Sequence, residues 1–119
     1  MKKEILESNL IVKLSFELSL SVIDYCKQLD FQKQFLLSKQ LFRSGTSIGA
    51  NVFEAQNAES KPDFIHKFKI AAKEVDETQY WLLLCQRSEN FPDCTNLLSK
   101  LEEVDKVITK IISTSKQKQ

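Results

Sequence analysis

From Phe64 to Cys85 the apolar and small residues recur at alternating intervals of four and three: Phe64, Phe68, Ala71, Val75, Thr78, Leu82, Cys85. A strand alternates every second residue, so only a helix with one buried stripe gathers these positions on one side. The same spacing appears three more times. Ile11, Ser15, Leu18, Val22, Tyr25 and Leu29 form a first seam, flanked by Leu14. Leu41, Gly45, Ile48, Val52 and Ala55 form a second, and Leu97, Leu101, Val104, Ile108 and Ile111 a fourth. The breaks between seams are short and polar. "DFQKQ" parts the first two; "AESKPD" supplies Ser60 as a capping hydroxyl, Pro62 for the first turn and Asp63 three residues on; "SENFPD" places Pro92 and Asp93 before the last segment. The predicted helices span residues 8–29, 34–58, 61–88 and 93–113, followed by a polar, frayed tail "STSKQKQ". Short connections make neighbours antiparallel, so the expected fold is all-α, an up-down-up-down four-helix bundle in one domain over 1–119.

Only two glycines occur in 119 residues, and both fall in "LFRSGTSIGANVFEA". A turn is excluded because the apolar spacing runs through them. A phosphate-binding loop is excluded because "GTSIG" has no following Lys-Ser/Thr and no preceding strand. Each glycine costs a helix about 1 kcal/mol relative to alanine. Gly45 and Gly49 are therefore read as the place where another helix comes close, with Phe64, Phe68 or Trp81 expected to fill the space.

The same stretch carries a resemblance. "SFELSLSV", "LFRSGTSIGANVFEA" and "KPDFIHKFKIAAKEVDET" resemble the small bacterial four helix bundle proteins first noticed in intervening sequences of 23S ribosomal RNA genes. The anchoring residues are Arg43, Ser44, Ser47, Ile48, Asn51, Val52, Glu54, Phe64 and Ala71. The chain departs from the family's pattern at Ala55, where glycine is usual, in "AQNAES", which lacks a basic residue, and at Lys73-Glu74, which replace Gly-Ser. The family is similar to the accessory proteins of diversity-generating retroelements, pentameric rings that bind nucleic acid and a reverse transcriptase. The resemblance thus implies a bundle, a homo-oligomer (a pentamer) and an RNA, DNA or protein partner.

The residues themselves offer no catalytic set. His66 is the only histidine, too few for a metal centre or a Ser/His/Asp triad, and is expected to face solvent. No enzyme activity, cofactor or metal is expected; a ligand site at Asn51 and Glu54 is the third-ranked reading. Cys26, Cys85 and Cys94 form no C-x-x-C pair, the pattern of reduced thiols in a cytoplasmic protein. Cys26 and Cys85 should be buried, and Cys94 partly exposed. The N-terminus shows neither a signal peptide nor a membrane-spanning run.

A formal charge of +1 argues against a strongly electrostatic nucleic-acid binder but leaves room for a local patch. Lys61, Lys67, Lys69 and Lys73 make the first half of the third helix basic, and Lys39 and Arg43 lie one turn apart on the second. Two readings stand for these residues: phosphate contacts, or, for Arg43, an interhelical ion pair with Glu77. Leu36, Ala50 and Phe53 on the second helix, and Ile70, Tyr80, Leu83 and Leu84 on the third, point away from the seams. Apolar residues spread over two adjacent helices suggest a subunit interface. The leading expectation is a self-assembling, non-enzymatic bundle that binds nucleic acid or a nucleic-acid-processing protein. The alternative is a protein scaffold.

Overall fold

The computed structural model describes residues 3–117. Five helices follow one another: α1 (Lys3–Ser8), α2 (Leu10–Phe31), α3 (Phe35–Ala55), α4 (Lys61–Arg87) and α5 (Thr95–Gln117). The four seams become one core, in which Leu18, Leu29, Leu41, Ile48, Phe68, Leu82, Leu101 and Ile108 are the large fully buried side chains. No helix among the described residues is long and apolar enough to cross a membrane.

Cross-helix contacts fix the direction of each pair. Along α2 and α3, Cys26 meets Ser38, Phe16 meets Phe53 and Asn9 meets Gln56. Along α3 and α4, Ser44 meets Thr78 and Glu54 meets Lys67. Between α2 and α5, Tyr25 reaches Pro92 just before α5, and Ser21 meets Lys100. Between α4 and α5, Cys94 at the mouth of α5 bonds Leu82, and the far ends meet at Ile65 and Lys116. In every pair one number rises as the other falls, so neighbours run antiparallel and α5 closes back on α2.

The glycines lie mid-helix, as expected, but their neighbour is α2 and not an aromatic ring of α4. A Cβ on Gly45 would stand 2.7 Å from Val22 Cγ1, and one on Gly49 would stand 3.0 Å from Ser19 Oγ and 3.2 Å from the Ser15 carbonyl oxygen. Ser15 and Ser19 keep α2 small where α3 crosses it. The close approach also brings buried polar groups into register: Ser38 Oγ donates to the Cys26 carbonyl at 3.3 Å. No buried side-chain nitrogen or oxygen among the described residues lacks a partner.

The connections contain no glycine. At the α2–α3 turn Lys33 takes the left-handed conformation, φ 61°. Its N–H donates to Asp30 O at 2.9 Å, and the Gln34 N–H donates to Leu29 O at 2.8 Å, the paired bonds of a Schellman cap. Asn90, φ 69°, occupies the same region between α4 and α5. Ser60 caps α4 as expected, accepting from the Asp63 N–H at 3.1 Å, while Asp63 Oδ2 accepts from the Glu59 N–H.

Three expectations need correction. The first long helix begins at Leu10, two residues after the expected start, where Asn9 caps α2 through the Val12 N–H, and a short helix not expected from the spacing, α1, precedes it. The tail is not frayed over its described part, because α5 continues to Gln117; the last two residues of "STSKQKQ" lie outside the described residues. Cys94 is buried, its Sγ donating to the Leu82 carbonyl. Burial raises all three thiols, Cys26 to about 11, so they are poor nucleophiles at neutral pH.

Because Val22 stands against the empty Cβ position, Gly45→Leu should destabilise the bundle by about 1–3 kcal/mol despite leucine's better helix propensity. The smaller change Gly45→Ala should also lower the melting temperature, and adding Val22→Ala should recover part of that loss. Thermal denaturation of the two single variants and the double variant checks this. Additive losses would mean that the two side chains do not meet.

Candidate functional site

Arg43, Ser44, Ser47, Asn51 and Glu54 lie along the side of α3 that meets α4. Arg43 Nη1 lies 3.1 Å from Glu74 Oε2, and its Nη2 bonds Glu77. Trp81 Nε1 donates to the same Glu77 carboxylate at 3.1 Å. Beneath this fork Thr78 Oγ1 donates to Ser44 Oγ at 2.9 Å in the core. Ser47 Oγ donates to the Arg43 carbonyl and Asn51 Nδ2 to the Ser47 carbonyl. One turn beyond, Lys67 Nζ lies 2.9 Å from Glu54 Oε1. Asn51 and Glu54 are thus engaged within the helix pair. The Trp81 N–H and the Arg43 guanidinium hold the Glu77 carboxyl below its ordinary range, and Glu54 raises the Lys67 ammonium.

These contacts divide the six basic residues predicted to act together. Arg43 and Lys67 face carboxylates on the α3–α4 side. Lys39 lies at the far end of the bundle, against an open hollow of about 410 Å³ that includes Lys27, Phe35 and Phe42. Lys61, Lys69 and Lys73 are exposed. Lys67 and Lys69 are two residues apart, about 200° around a helix, so they serve opposite flanks of α4. Lys69 turns toward α5, where it meets Lys116. The Lys116 ammonium, with Lys73 one turn away, lowers the Lys69 pKa.

Lys116 was missed by sequence reasoning because its segment was taken as a frayed tail. The signal was present: Ser115 continues the seam of Ile108 and Ile111 at the next interval of four, with no glycine or proline to stop the helix. Antiparallel packing sets the first half of α4 beside the second half of α5. Residues 61–73 hold four lysines against Asp63, and residues 106–117 hold Lys106, Lys110 and Lys116 against no acid. Farther along the same pair, Asp76 and Glu102 approach Asp105, which is pushed up first by partial burial and then by these two carboxylates. A nearly neutral chain therefore carries one basic quarter. In it Pro62, Ile65, His66, Lys69 and Lys116 line an open hollow of about 360 Å³. No group of three or more His, Cys, Asp or Glu among the described residues is placed to hold a metal ion.

The predicted apolar surface is only partly outward. Leu36 is 87% exposed, and Ala50, Tyr80 and Leu84 are exposed too. Ile70 and Leu83 are half-buried. Phe53 does not point away from the bundle: it packs on the core, its ring 6.3 Å from that of Phe16 on α2. The α2–α3 end exposes Phe31 (90%), Phe35 and Phe42, which the apolar spacing did not single out: the first two flank the helix break, and Phe42 lies within α3 but off its seam.

The sequence model of a family described as 23S rRNA-intervening sequence protein matches residues 7–110. A crystal structure of a protein of unknown function from the S23 ribosomal protein family, from Bacteroides thetaiotaomicron VPI-5482, is 41% identical. It matches over 86% of this chain and 97% of that one, with a TM-score of 0.82. Comparison with curated proteins gave no match.

Glu77 has a depressed folded-state pKa, so its contribution to stability is present above the ordinary carboxylate range and is lost as pH falls through the folded value. Glu77→Gln should lower the melting temperature modestly at pH 7. The gap from the parent should narrow as pH falls below the ordinary carboxylate range and through the depressed folded value, as melting curves across pH can show. A gap independent of pH would mean that the carboxylate charge is not what stabilises the pair.

Proposed function

The chain belongs to the 23S rRNA-intervening sequence protein family, and from that premise we propose a non-enzymatic, self-assembling bundle that binds nucleic acid by its phosphate backbone. The carrying observation is the segregation of charge: Lys69 meets Lys116 with Lys73 one turn away, Lys61, Lys110 and Lys106 (the last 3.5 Å from Glu102) belong to the same overlapping halves of α4 and α5, and Glu74, Asp76, Glu77, Glu102, Glu103 and Asp105 belong to the other halves. Arg43 and Lys67, already facing carboxylates, are secondary, and Lys39 is remote. Among the described residues no aromatic ring stands free beside Lys69, Lys73 or Lys116: Phe68 is buried, and half-buried Phe64 packs against it, tilted at 46° with ring centroids 4.8 Å apart, on the side of Lys106 and Lys110. Binding is then mostly counterion release, tolerant of base sequence and steep in salt. Self-assembly through the outward apolar residues Leu36, Tyr80 and Leu84 repeats the basic quarter, so weak contacts gain avidity. A ring uses two different patches on each protomer, and the pentamer implied by the family resemblance is one such closed assembly.

A second reading is favoured by the bundle's other end. Phe31, Phe35, Leu36 and Phe42 are all exposed there, a concentration suited to a protein partner and to a scaffold without nucleic acid.

Titration of labelled oligonucleotides at low salt separates the two. Binding should weaken steeply as salt rises. Lys69→Gln, Lys73→Gln and Lys116→Gln together should reduce the logarithmic salt slope by about 2–3, at roughly 0.7–0.9 per lost phosphate contact. Lys67→Gln should change it little. No binding by the folded parent would favour the scaffold.

A further inference from the structure

We propose that the hollow between α4 and α5, bordered by His66, Lys69 and Lys116, receives a terminal phosphate monoester, the phosphorylated end of a nucleic-acid strand. The proposal rests on the phosphate-backbone reading above and adds a distinct recognition element to it. Along the rest of the basic quarter each lysine can meet an internal phosphodiester singly. Here two ammonium groups from different helices converge on one concave site with an imidazole at its edge.

Charge matching favours the strand end. An internal phosphodiester carries one negative charge, whereas a phosphate monoester carries roughly 1.5 to 2 near pH 7 and offers three terminal oxygens. Lys69 and Lys116 repel one another when the hollow holds no anion. This repulsion lowers the Lys69 pKa, with Lys73 adding to it more weakly. A dianion between the two ammoniums reverses the sign of that interaction, and a monoanion offsets it only in part. Among the described residues no carboxylate lies within salt-bridge distance of Lys69 or Lys116. Of the flanking acids on α4, Asp63 accepts from the Glu59 N–H at the helix cap and Glu74 is paired with Arg43.

Shape points the same way. The hollow has about 360 Å³ of space, with Pro62 and Ile65 among its lining residues. At roughly 30 Å³ for each water displaced, it can admit a phosphate and part of the following sugar. The imidazole of His66 and the two ammoniums can donate to the terminal oxygens.

The test compares one short oligonucleotide with a 5′-phosphate, with a 3′-phosphate and with hydroxyl ends, at low salt and pH 7.5. Inorganic phosphate and a nucleoside monophosphate serve as competitors. At least one phosphorylated form should bind about five-fold more tightly than the hydroxyl form, the gain of one further exposed ion pair. Lys116→Gln should abolish that preference, whereas Lys73→Gln should weaken all forms alike and preserve it. Competition by the monophosphate at the concentration of inorganic phosphate would assign the contact to phosphate alone and overturn the strand-end proposal. Equal affinity of phosphorylated and hydroxyl forms, with steep salt dependence retained, would overturn it and leave the backbone reading standing. Failure of every oligonucleotide to bind the folded protein would remove both.

Discussion

How closely α3 can lie against α2 governs the rest of the bundle. At Gly49 the closest neighbours are Ser19 Oγ and the backbone carbonyl of Ser15, and at Gly45 the methyl groups of Val22 fill the missing Cβ position. Each glycine costs helix stability, about 1 kcal/mol against alanine. The return is a dense contact that sets α3 in both depth and rotation. Ser38 and Cys26 then exchange bonds on the α2 side, while Ser44, Arg43 and Glu54 are aimed at α4 on the other. Moving α3 outward by the width of a methyl group would disturb both sets. The turns accordingly manage without glycine: Lys33 and Asn90 take the left-handed positions that glycine occupies most easily.

The four long helices were legible because apolar spacing is a direct record of which side is buried. Ser60 and Asp63 were legible as a cap for a similar reason, since the chemistry is local. What the spacing could not reveal was which neighbour Gly45 meets. A seam says that a residue faces inward, and inward from α3 lie both Val22 and Phe68. Asn9 was overlooked as a cap because apolar residues, Ile5 and Leu6, also stand on its N-terminal side and blur the start. Phe53 was misplaced because it lies at the edge of the stripe, where the large Phe16 on α2 could still reach it.

The candidate site was legible in part. The density of lysines in 61–73 is plain in the sequence, but Lys67 and Lys69 are only two residues apart there and opposed on the helix. Only the packing of α5 and α3 on α4 reveals that Lys69 gains Lys116 and that Lys67 faces Glu54. Of the most recognisable residues, Arg43, Ser44 and Glu54 join α3 to α4, while Ser47 and Asn51 bond back to the α3 backbone. Membership of the 23S rRNA-intervening sequence protein family therefore speaks first to architecture. The charges left available to a partner lie elsewhere, and the total of +1 conceals them because the acids are placed apart from them.

The central functional claim is this spatial segregation, and it is tested most directly by amide chemical-shift mapping of the isotopically labelled protein during titration with a short oligonucleotide at low salt. The account predicts perturbations concentrated in residues 61–73 and 106–117, reversed by added salt, with the α2–α3 end around Phe31 and Leu36 unchanged. Perturbations centred on that apolar end, or spread evenly over the exposed lysines including Lys13, Lys27 and Lys39, would contradict it.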